Sequence, residues 1–298
     1  MDLPTSVAAL GEQLGGTGDI VLDPALFHEA DVFAAEREQI FARPWMAVDH
    51  ATRLDEDGRY LRFDAATRSM IVTRESGGRL HALRNVCIHA GYPVCDAEEG
   101  SAERLICPYH GWEYALDGRL VEPAFSSRID RSRLRLPSYR VCVRDGLMLV
   151  DLSGGPASDS DIAGPLPSWL SDGRVTRRPR YSTPWNWKLL LHFLGCQPHL
   201  FFDGPTEAGD HDTCLEFGPL SRMMVRSERT VLLNVIPRFA ERTDLQVIEI
   251  VAADAPAKAA CPSKDDAVAD GLRRASEPSA GQLDRDFLSW YWSLMSTA

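Results

Sequence analysis

The sequence predicts an α+β protein in two parts, each built on an antiparallel sheet. Short apolar segments separated by Gly-containing turns fill residues 45–155, a stretch rich in Gly, Pro, Ser and Asp follows at 156–183, and helix-like and strand-like patterns share 184–298. We therefore predict an N-terminal arm and helix (1–44), an antiparallel β domain (45–155), a linker (156–183) and a sheet-and-helix domain (184–298).

The leading segment combines a loose arm with one helix. Residues 1–20 predict an arm that is either irregular or ordered by a partner. Residues 24–43 return apolar side chains at helical spacing, with Asp31 as the expected N-cap. Pro44 then ends the helix, because proline has no backbone N–H and its ring collides with the preceding turn.

The β domain is predicted from short runs of Val, Ile, Leu and aromatic residues. Each run is bounded by an Asp-Gly or Gly-Gly pair, which favours tight turns. The predicted strands are 58–64, 69–75, 80–86 and 146–152, and the turns are Asp57-Gly58, Gly77-Gly78, Asp117-Gly118 and Asp145-Gly146.

The second domain opens with a helix over 185–197, in which four apolar residues form one stripe. The stripe consists of Trp187, Leu190, Leu191 and Leu194. Strand-like segments follow within 215–252, and two closing helices are expected over 264–276 and 281–296.

Composition excludes several classes of function. The formal net charge of −11 disfavours binding to nucleic acid, whose phosphates are also negative. No apolar run approaches the roughly 20 residues that span a bilayer, and residues 1–16 lack the pattern of a secretory signal, so we expect a cytoplasmic protein. Seven cysteines, an odd number, favour metal binding or buried thiols over a disulfide framework.

Two Cys/His pairs carry the strongest chemical signal. Cys87-Ile-His89 is followed after seventeen residues by Cys107-Pro-Tyr-His110. Two thiolates and two imidazoles presented from tight loops suit either a zinc ion or a [2Fe–2S] cluster in which histidines replace cysteines on one iron. The spacing alone leaves both alternatives open.

The residues around these pairs resemble a known family. CIHAGYPV and CPYHGWEYALDGRL resemble the two cluster loops of Rieske proteins, and the second is similar to the form in Rieske non-haem iron oxygenases, the ring-hydroxylating family. The resemblance implies a Rieske [2Fe–2S] cluster, with Cys87 and Cys107 on one iron and His89 and His110 on the other. It also implies a reduced helix-grip-like domain of antiparallel sheet and helices over 184–298, and Trp112 as a cover for the cluster.

The second loop also indicates the type of Rieske centre. Respiratory-chain Rieske proteins carry an extra cysteine in each loop and join the two by a disulfide. The second-loop position here is Tyr109, so the resemblance implies an oxygenase-type centre in the lower part of the Rieske range of about −150 to +300 mV. Cys95 is then expected to be a buried thiol.

The family's second metal site departs from its pattern. Members hold a mononuclear Fe(II) with two histidines and one carboxylate, the histidines lying on the helix that the segment WNWKLLLHFL resembles. Ungapped alignment places the bridging carboxylate at Gly195, the first histidine at Pro198 and the second at Asp203. Neither Gly nor Pro offers a side-chain ligand.

Neighbouring residues could rebuild an iron site. His192, His199 and Asp203 lie within about 40° on a helix, but the two histidines are about 10 Å apart by helical rise. The remaining candidates for a mononuclear Fe(II) are His199, Asp203, His211 and Asp266. The family's catalytic domains are usually larger than residues 160–298.

Three hypotheses follow. In the first, which we prefer, the chain is the electron-transfer component of an oxygenase system and serves a catalytic α subunit. In the second, it is a complete, compact Rieske oxygenase, a hydroxylase or demethylase with a rearranged iron site. In the third, it is a scaffolding subunit that the cluster merely stabilises.

The expected partners are an NAD(P)H-dependent reductase or ferredoxin and, from family habit, subunits of a trimer or mixed oligomer. Two basic runs either dock an acidic redox partner or form solvated faces or oligomer contacts. The first run comprises Arg128, Arg131, Arg133 and Arg135, and the second Arg174, Arg177, Arg178 and Arg180.

Overall fold

The structure is a computed structural model that divides into two compact units, Pro44–Val175 and Met1–Arg43 with Thr176–Ala298. It describes residues 3–43, 45–123, 130–155, 165–196, 213–255, 268–269, 271–272, 281 and 283–297. No helix in these ranges is long and apolar enough to cross a membrane.

The unit Pro44–Val175 is built from antiparallel strands. They are β1 (Met46–His50), β2 (Arg59–Ala65), β3 (Arg68–Arg74), β4 (Leu80–Arg84), β5 (Glu99–Ser101), β6 (Leu105–Ile106), β7 (Glu113–Tyr114), β8 (Leu120–Glu122), β9 (Ser138–Arg144) and β10 (Leu147–Asp151). Seven strands form a sheet in the order β1-β10-β9-β4-β3-β2-β5, and β6-β7-β8 form a smaller one. The predicted antiparallel β architecture is confirmed. The four predicted strands correspond to β2, β3, β4 and β10, and the structure adds β1 and β5–β9.

The larger sheet separates two hydrophobic cores. Side chains alternate across a strand, so on β3 Met70 and Val72 enter one core while Ile71 enters the other. The core of Ile71 also contains Cys87 and Cys107. The cysteines that the sequence singled out are therefore packed into an apolar cluster.

The second unit combines a six-stranded sheet with helices. The helices are α1 (Thr5–Leu14), α2 (Ala25–His28), α3 (Ala30–Gln39), α4 (Trp187–Cys196) and α5 (Arg285–Ser296), and the strands are β11 (Arg174–Arg177), β12 (Arg180–Thr183), β13 (Thr213–Phe217), β14 (Ser221–Arg226), β15 (Arg229–Phe239) and β16 (Arg242–Val251). The sheet order is β11-β16-β15-β14-β13, with β12 also on β16. Residues 174–183, which we had assigned to the linker, thus form two strands of this sheet.

The arm predicted for residues 1–20 contains α1, a regular helix. Val7 and Leu10 are almost fully buried, and the ring of Trp292 lies so close to Gly11 that a Cβ there would overlap with it. The prediction of an irregular arm was wrong because α1 packs against α5, which lies far away in the sequence.

The helix predicted over 24–43 is two helices, α2 and α3. They are separated by Glu29, whose backbone is extended with ψ of 137°. The side chain of Asn186 donates to Phe27 O at 3.0 Å and so occupies a carbonyl that a continuous helix would use. Glu29, rather than the predicted Asp31, stands at the N-cap position of α3.

The two remaining helices follow their sequence patterns. The whole predicted stripe of α4 is buried. Helix α5 begins after Asp284, whose Oδ1 accepts the Phe287 N–H at 2.8 Å, a favourable N-cap arrangement. The other closing helix, predicted over 264–276, lies largely outside the described residues.

Candidate metal centre

The first loop of the candidate centre follows β4 and carries Cys87 and His89. Two backbone hydrogen bonds shape it: Gly91 N donates to Cys87 O at 2.8 Å, and Cys87 N donates to Tyr92 O at 2.7 Å. Gly91 has a φ of +72°, a conformation that glycine adopts without the Cβ penalty of other residues.

The second loop, between β6 and β7, repeats this geometry with Cys107 and His110. Gly111 N donates to Cys107 O and Cys107 N donates to Trp112 O, both at 2.9 Å. Gly111 has a φ of +67°. Each loop therefore presents one cysteine and one histidine, two residues apart in the first loop and three in the second, from the same kind of turn.

The two cysteines form the buried side of the centre. Cys87 and Cys107 are 2% and 1% exposed. Burial raises the pKa of Cys107, as does the Cys87 thiol, while backbone N–H groups of Tyr109 and His110 aimed at its sulfur lower it. Tyr114 Oη lies 3.1 Å from Cys87 Sγ. Such donors suit a sulfur that carries negative charge.

The two histidines form the outer side. His89 is exposed and His110 half-buried, with ring centroids 4.7 Å apart. Trp112, predicted to cover the cluster, stacks on His89 with centroids 4.8 Å apart and planes 6° from parallel. His110 Nδ1 is buried without a hydrogen-bond partner, although an unpaired buried nitrogen is costly.

These side chains fit a [2Fe–2S] cluster better than a single zinc ion. A zinc ion draws its ligands to one point, yet nowhere in the described ranges do three His, Cys, Asp or Glu side chains meet closely enough to hold one ion. A Rieske cluster takes two ligands on each of two irons, as a thiol pair beside an imidazole pair would supply. The unpartnered Nδ1 of His110 fits an imidazole nitrogen that binds iron.

Exposed apolar side chains lie close in sequence to the ligand residues, and the ring of Tyr109 packs against that of His110 with centroids 3.8 Å apart. Tyr92, Ile106 and Tyr109 are 44%, 54% and 58% exposed, and the two tyrosine rings lie 5.2 Å apart. Large apolar side chains around a redox centre are a common feature of surfaces where another protein binds.

Sequence reasoning missed two polar side chains of this region, Tyr114 and Asn85. Tyr114 is an aromatic residue in a short strand, and its contact with Cys87 spans 27 positions. Asn85 ends the segment entering the first loop and is 5% exposed. Asn85 could have been singled out because a polar amide ends an otherwise strand-like apolar segment. No feature of the sequence near Tyr114 predicts its contact with Cys87.

Four of the arginines in the two basic runs contact carboxylates. Arg131 contacts Glu122 at 3.0 Å, and Arg180 contacts Asp244 at 3.1 Å. Longer approaches of 4.0 and 3.9 Å join Arg135 to Asp117 and Arg177 to Glu249. Arg128 lies outside the described residues. This pairing reduces the positive charge available to an acidic partner.

The candidates for a mononuclear iron all lie outside the described residues: His199, Asp203, His211 and Asp266. Gly195, where the resemblance expects a bridging carboxylate, lies in α4 and is exposed. His192, one turn earlier, contacts Asp284 Oδ2 at 3.3 Å and packs edge-on against Phe287.

Comparison with known proteins identifies the region of the two loops. The family model described as the Rieske [2Fe-2S] domain matches residues 44–140. The glycine betaine monooxygenase oxygenase subunit of Chromohalobacter salexigens is 29% identical over 61% of this chain and 44% of its own length. The N,N-dimethyl phenylurea N-demethylase subunit alpha of a Sphingobium species is 33% identical over 53% of this chain and 36% of its own.

Solved structures extend the likeness of fold to most of the chain. The apo form of a quaternary ammonium Rieske monooxygenase matches with a TM-score of 0.68 and 18% identity, over 91% of this chain and 93% of that one. Naphthalene 1,2-dioxygenase from a Rhodococcus species matches with a TM-score of 0.65 and 20% identity, over 97% and 85%.

The sequence matches span less than half the length of these two curated relatives. The family model, the relatives and the fold nevertheless agree. This chain therefore contains a Rieske [2Fe–2S] domain over residues 44–140, has the fold of Rieske oxygenases and is similar in sequence to part of oxygenase α subunits.

Proposed function

We propose that this chain is the Rieske component of an oxygenase system and passes single electrons toward a mononuclear iron in a partner subunit. The observation that carries the proposal is the pairing of two buried thiols with two imidazoles at an exposed edge. In this proposal Cys87 and Cys107 hold one iron and His89 and His110 the other. A cluster of this kind, when bound, takes up and releases one electron at a time.

Each part of the site has a role in this proposal. The apolar core around Cys87 and Cys107 excludes water from the sulfurs, and backbone N–H groups stabilise the charge on Cys107. His89 is exposed and provides the short path to another protein. Tyr92 and Tyr109 border that path and supply apolar contact area for a docked partner.

The preference for a partner's iron comes from Gly195. In the family that the chain resembles, a carboxylate at this position connects one subunit's cluster to its neighbour's iron. Glycine has no side chain to make that connection, and Pro198 replaces the first histidine. The electron donor would be an NAD(P)H-dependent reductase or a ferredoxin, and the acceptor a catalytic α subunit in a trimer or mixed oligomer.

The relatives suggest which oxygenation to test first. By their names, two act on glycine betaine and on N,N-dimethyl phenylurea, both of which carry N-methyl groups. We propose oxidation of an N-methyl group as the reaction that this chain supports through its partner.

Metal analysis of anaerobically purified protein tests the proposal. We expect two irons and two acid-labile sulfides per chain, unchanged after ferrous reconstitution, and no turnover of N-methyl substrates with reductase alone. A homologous catalytic α subunit added to the assay should accept electrons. Turnover by the isolated, homogeneous chain would overturn the proposal.

A complete, compact oxygenase is the second candidate function. It is favoured by the fold match, which covers 91% of this chain and 93% of a Rieske monooxygenase. It requires a third iron after reconstitution, and loss of that iron in His199→Ala and Asp203→Ala. A cluster that dithionite cannot reduce would instead support a scaffolding subunit.

Tyr114→Phe should lower the reduction potential of the bound cluster by about 40 mV. The hydroxyl lies 3.1 Å from Cys87 Sγ, and a hydrogen bond donated to sulfur favours the more negative, reduced state. A bond worth about 1 kcal/mol corresponds to about 40 mV for one electron, since tenfold in an equilibrium constant is about 59 mV. A redox titration followed by EPR measures the shift.

Tyr109→Phe is the matched control for this prediction. Tyr109 is in the same loop, and its side chain is 58% exposed. The substitution leaves its backbone N–H in place, so we expect a shift below about 10 mV. Equal shifts in both variants would show that the Tyr114 hydroxyl has no special effect on the sulfur.

A further inference from the structure

The two cluster loops are closed at their bases in different ways. The second loop is held by the β6–β7 ladder, in which Leu105 pairs with Tyr114 and Ile106 with Glu113. The first loop leaves β4 at Arg84, and the next described strand, β5, begins at Glu99 and pairs with β2 instead. Within the described residues, no strand pair flanks the first loop.

One side chain closes the first loop in place of a ladder. Asn85 Oδ1 accepts the N–H groups of Val94 and Cys95, both at 2.9 Å. Asn85 Nδ2 donates to Cys95 O at 2.7 Å and to Ser69 Oγ at 3.1 Å. The backbone N–H of Asn85 donates to Ser69 O at 2.9 Å. The amide thereby links the two ends of the loop to each other and to β3.

The environment requires an amide at this position. An Asn side chain has two donor hydrogens and accepts on two lone pairs, and all four are used. Val94 and Cys95 are 4% and 9% exposed, so water is poorly placed to replace the bonds. Alanine would leave three buried backbone groups without their partners. Aspartate would turn an oxygen toward Cys95 O.

We propose that Asn85 is a positioning residue for the metal centre. It fixes the ends of the loop that carries Cys87 and His89, and so sets where these two lie relative to Cys107 and His110. This inference shares one premise with the proposed function, namely that the loop with Cys87 and His89 binds the cluster. It does not depend on where the electrons go.

The test is Asn85→Ala in the full-length chain, compared with wild type. We expect iron to transfer to a ferrous chelator at least about tenfold faster, as is typical for residues that orient metal ligands. The reduced protein should also show a broadened or shifted EPR spectrum. Should Asn85→Ala fail to fold, Asn85→Asp, which keeps the side-chain shape and the bonds to Oδ1, is expected to show the same faster release.

Ser69→Ala is the matched control. It removes the Asn85 Nδ2 bond to Ser69 Oγ but leaves the three bonds that close the loop. We expect iron release and the EPR spectrum of Ser69→Ala to match wild type.

Two outcomes would overturn the inference. One is a folded Asn85→Ala with lowered thermal stability but wild-type release and spectrum, since Asn85 would then support only the fold. The other is a wild-type chain that holds no cluster, in which case the proposed function fails as well. A wild-type cluster that donates no electrons to an oxygenase would sink the proposed function alone.

Discussion

Replacing Lys188 with Met should lower the free energy of unfolding by about 3–5 kcal/mol, the usual cost of breaking a buried ion pair. Lys188 is 2% exposed and Glu36 is fully buried, and Nζ lies 2.5 Å from Glu36 Oε1. Burial lowers the pKa of Lys188, and the neighbouring Glu36 offsets only part of that decrease. Methionine would fill most of the volume but leave Glu36 without its counter-charge.

The surroundings of Lys188 explain why its ammonium group is tolerated inside the unit. The rings of Phe27, Trp187 and Tyr291 lie 5.1–5.3 Å from Nζ, a favourable distance for cation–π attraction. Glu36 also accepts the Trp187 indole N–H at 2.8 Å and the Tyr291 hydroxyl at 2.9 Å. One carboxylate thus joins α3, α4 and α5.

Denaturant unfolding followed by tryptophan fluorescence measures this effect. Lys188→Met combined with Glu36→Gln should recover a large part of the loss, because no buried charge then remains. Glu241→Gln is the control, since Glu241 contacts His28 in the same unit with both side chains more than half exposed, and its cost should stay below about 1 kcal/mol. A Lys188→Met cost as small as the control's would contradict the prediction.

The ion pair also shows which parts of the structure the sequence could predict. The cluster loops could be predicted from the sequence because, within each loop, the ligands and the glycine lie within a few positions of one another. The predicted β-hairpin turns are local in the same way. Glu36 and Lys188 are 152 residues apart, and each alone looks like a helix-surface charge, so no local pattern identifies the pair.

Long-range contacts also explain the errors in the predicted elements. Helix α1 depends on the packing of Trp292 against Gly11, and the break before α3 depends on Asn186. Strands β11 and β12 follow a Pro- and Gly-rich stretch, which made residues 174–183 look like linker, but β16 pairs with both of them.

Gly146→Ala should destabilise the protein by about 2–5 kcal/mol, through two separable effects. Gly146 has a φ of +83°, which costs an L-residue about 1–2 kcal/mol. A Cβ there would also overlap with His50 Nε2 and lie 2.6 Å from Leu170 O, and overpacking of this kind costs about 1–3 kcal/mol. Burial lowers the pKa of His50, so the ring is neutral near pH 7 and donates from Nε2 to Leu170 O at 2.8 Å.

Gly77→Ala separates the two effects. Gly77 has the same φ of +83°, but nothing lies within 4 Å of the position that its Cβ would occupy. We expect it to cost only the backbone strain of about 1–2 kcal/mol, measured by the same denaturant unfolding. The additional cost of Gly146→Ala over Gly77→Ala would then measure the overlap of the new Cβ with the hydrogen-bonded pair His50 and Leu170. This pair packs against the β9–β10 turn. Equal costs would mean that His50 and Leu170 move aside freely, and that this contact does not hold the segment Ser168–Asp172 in place.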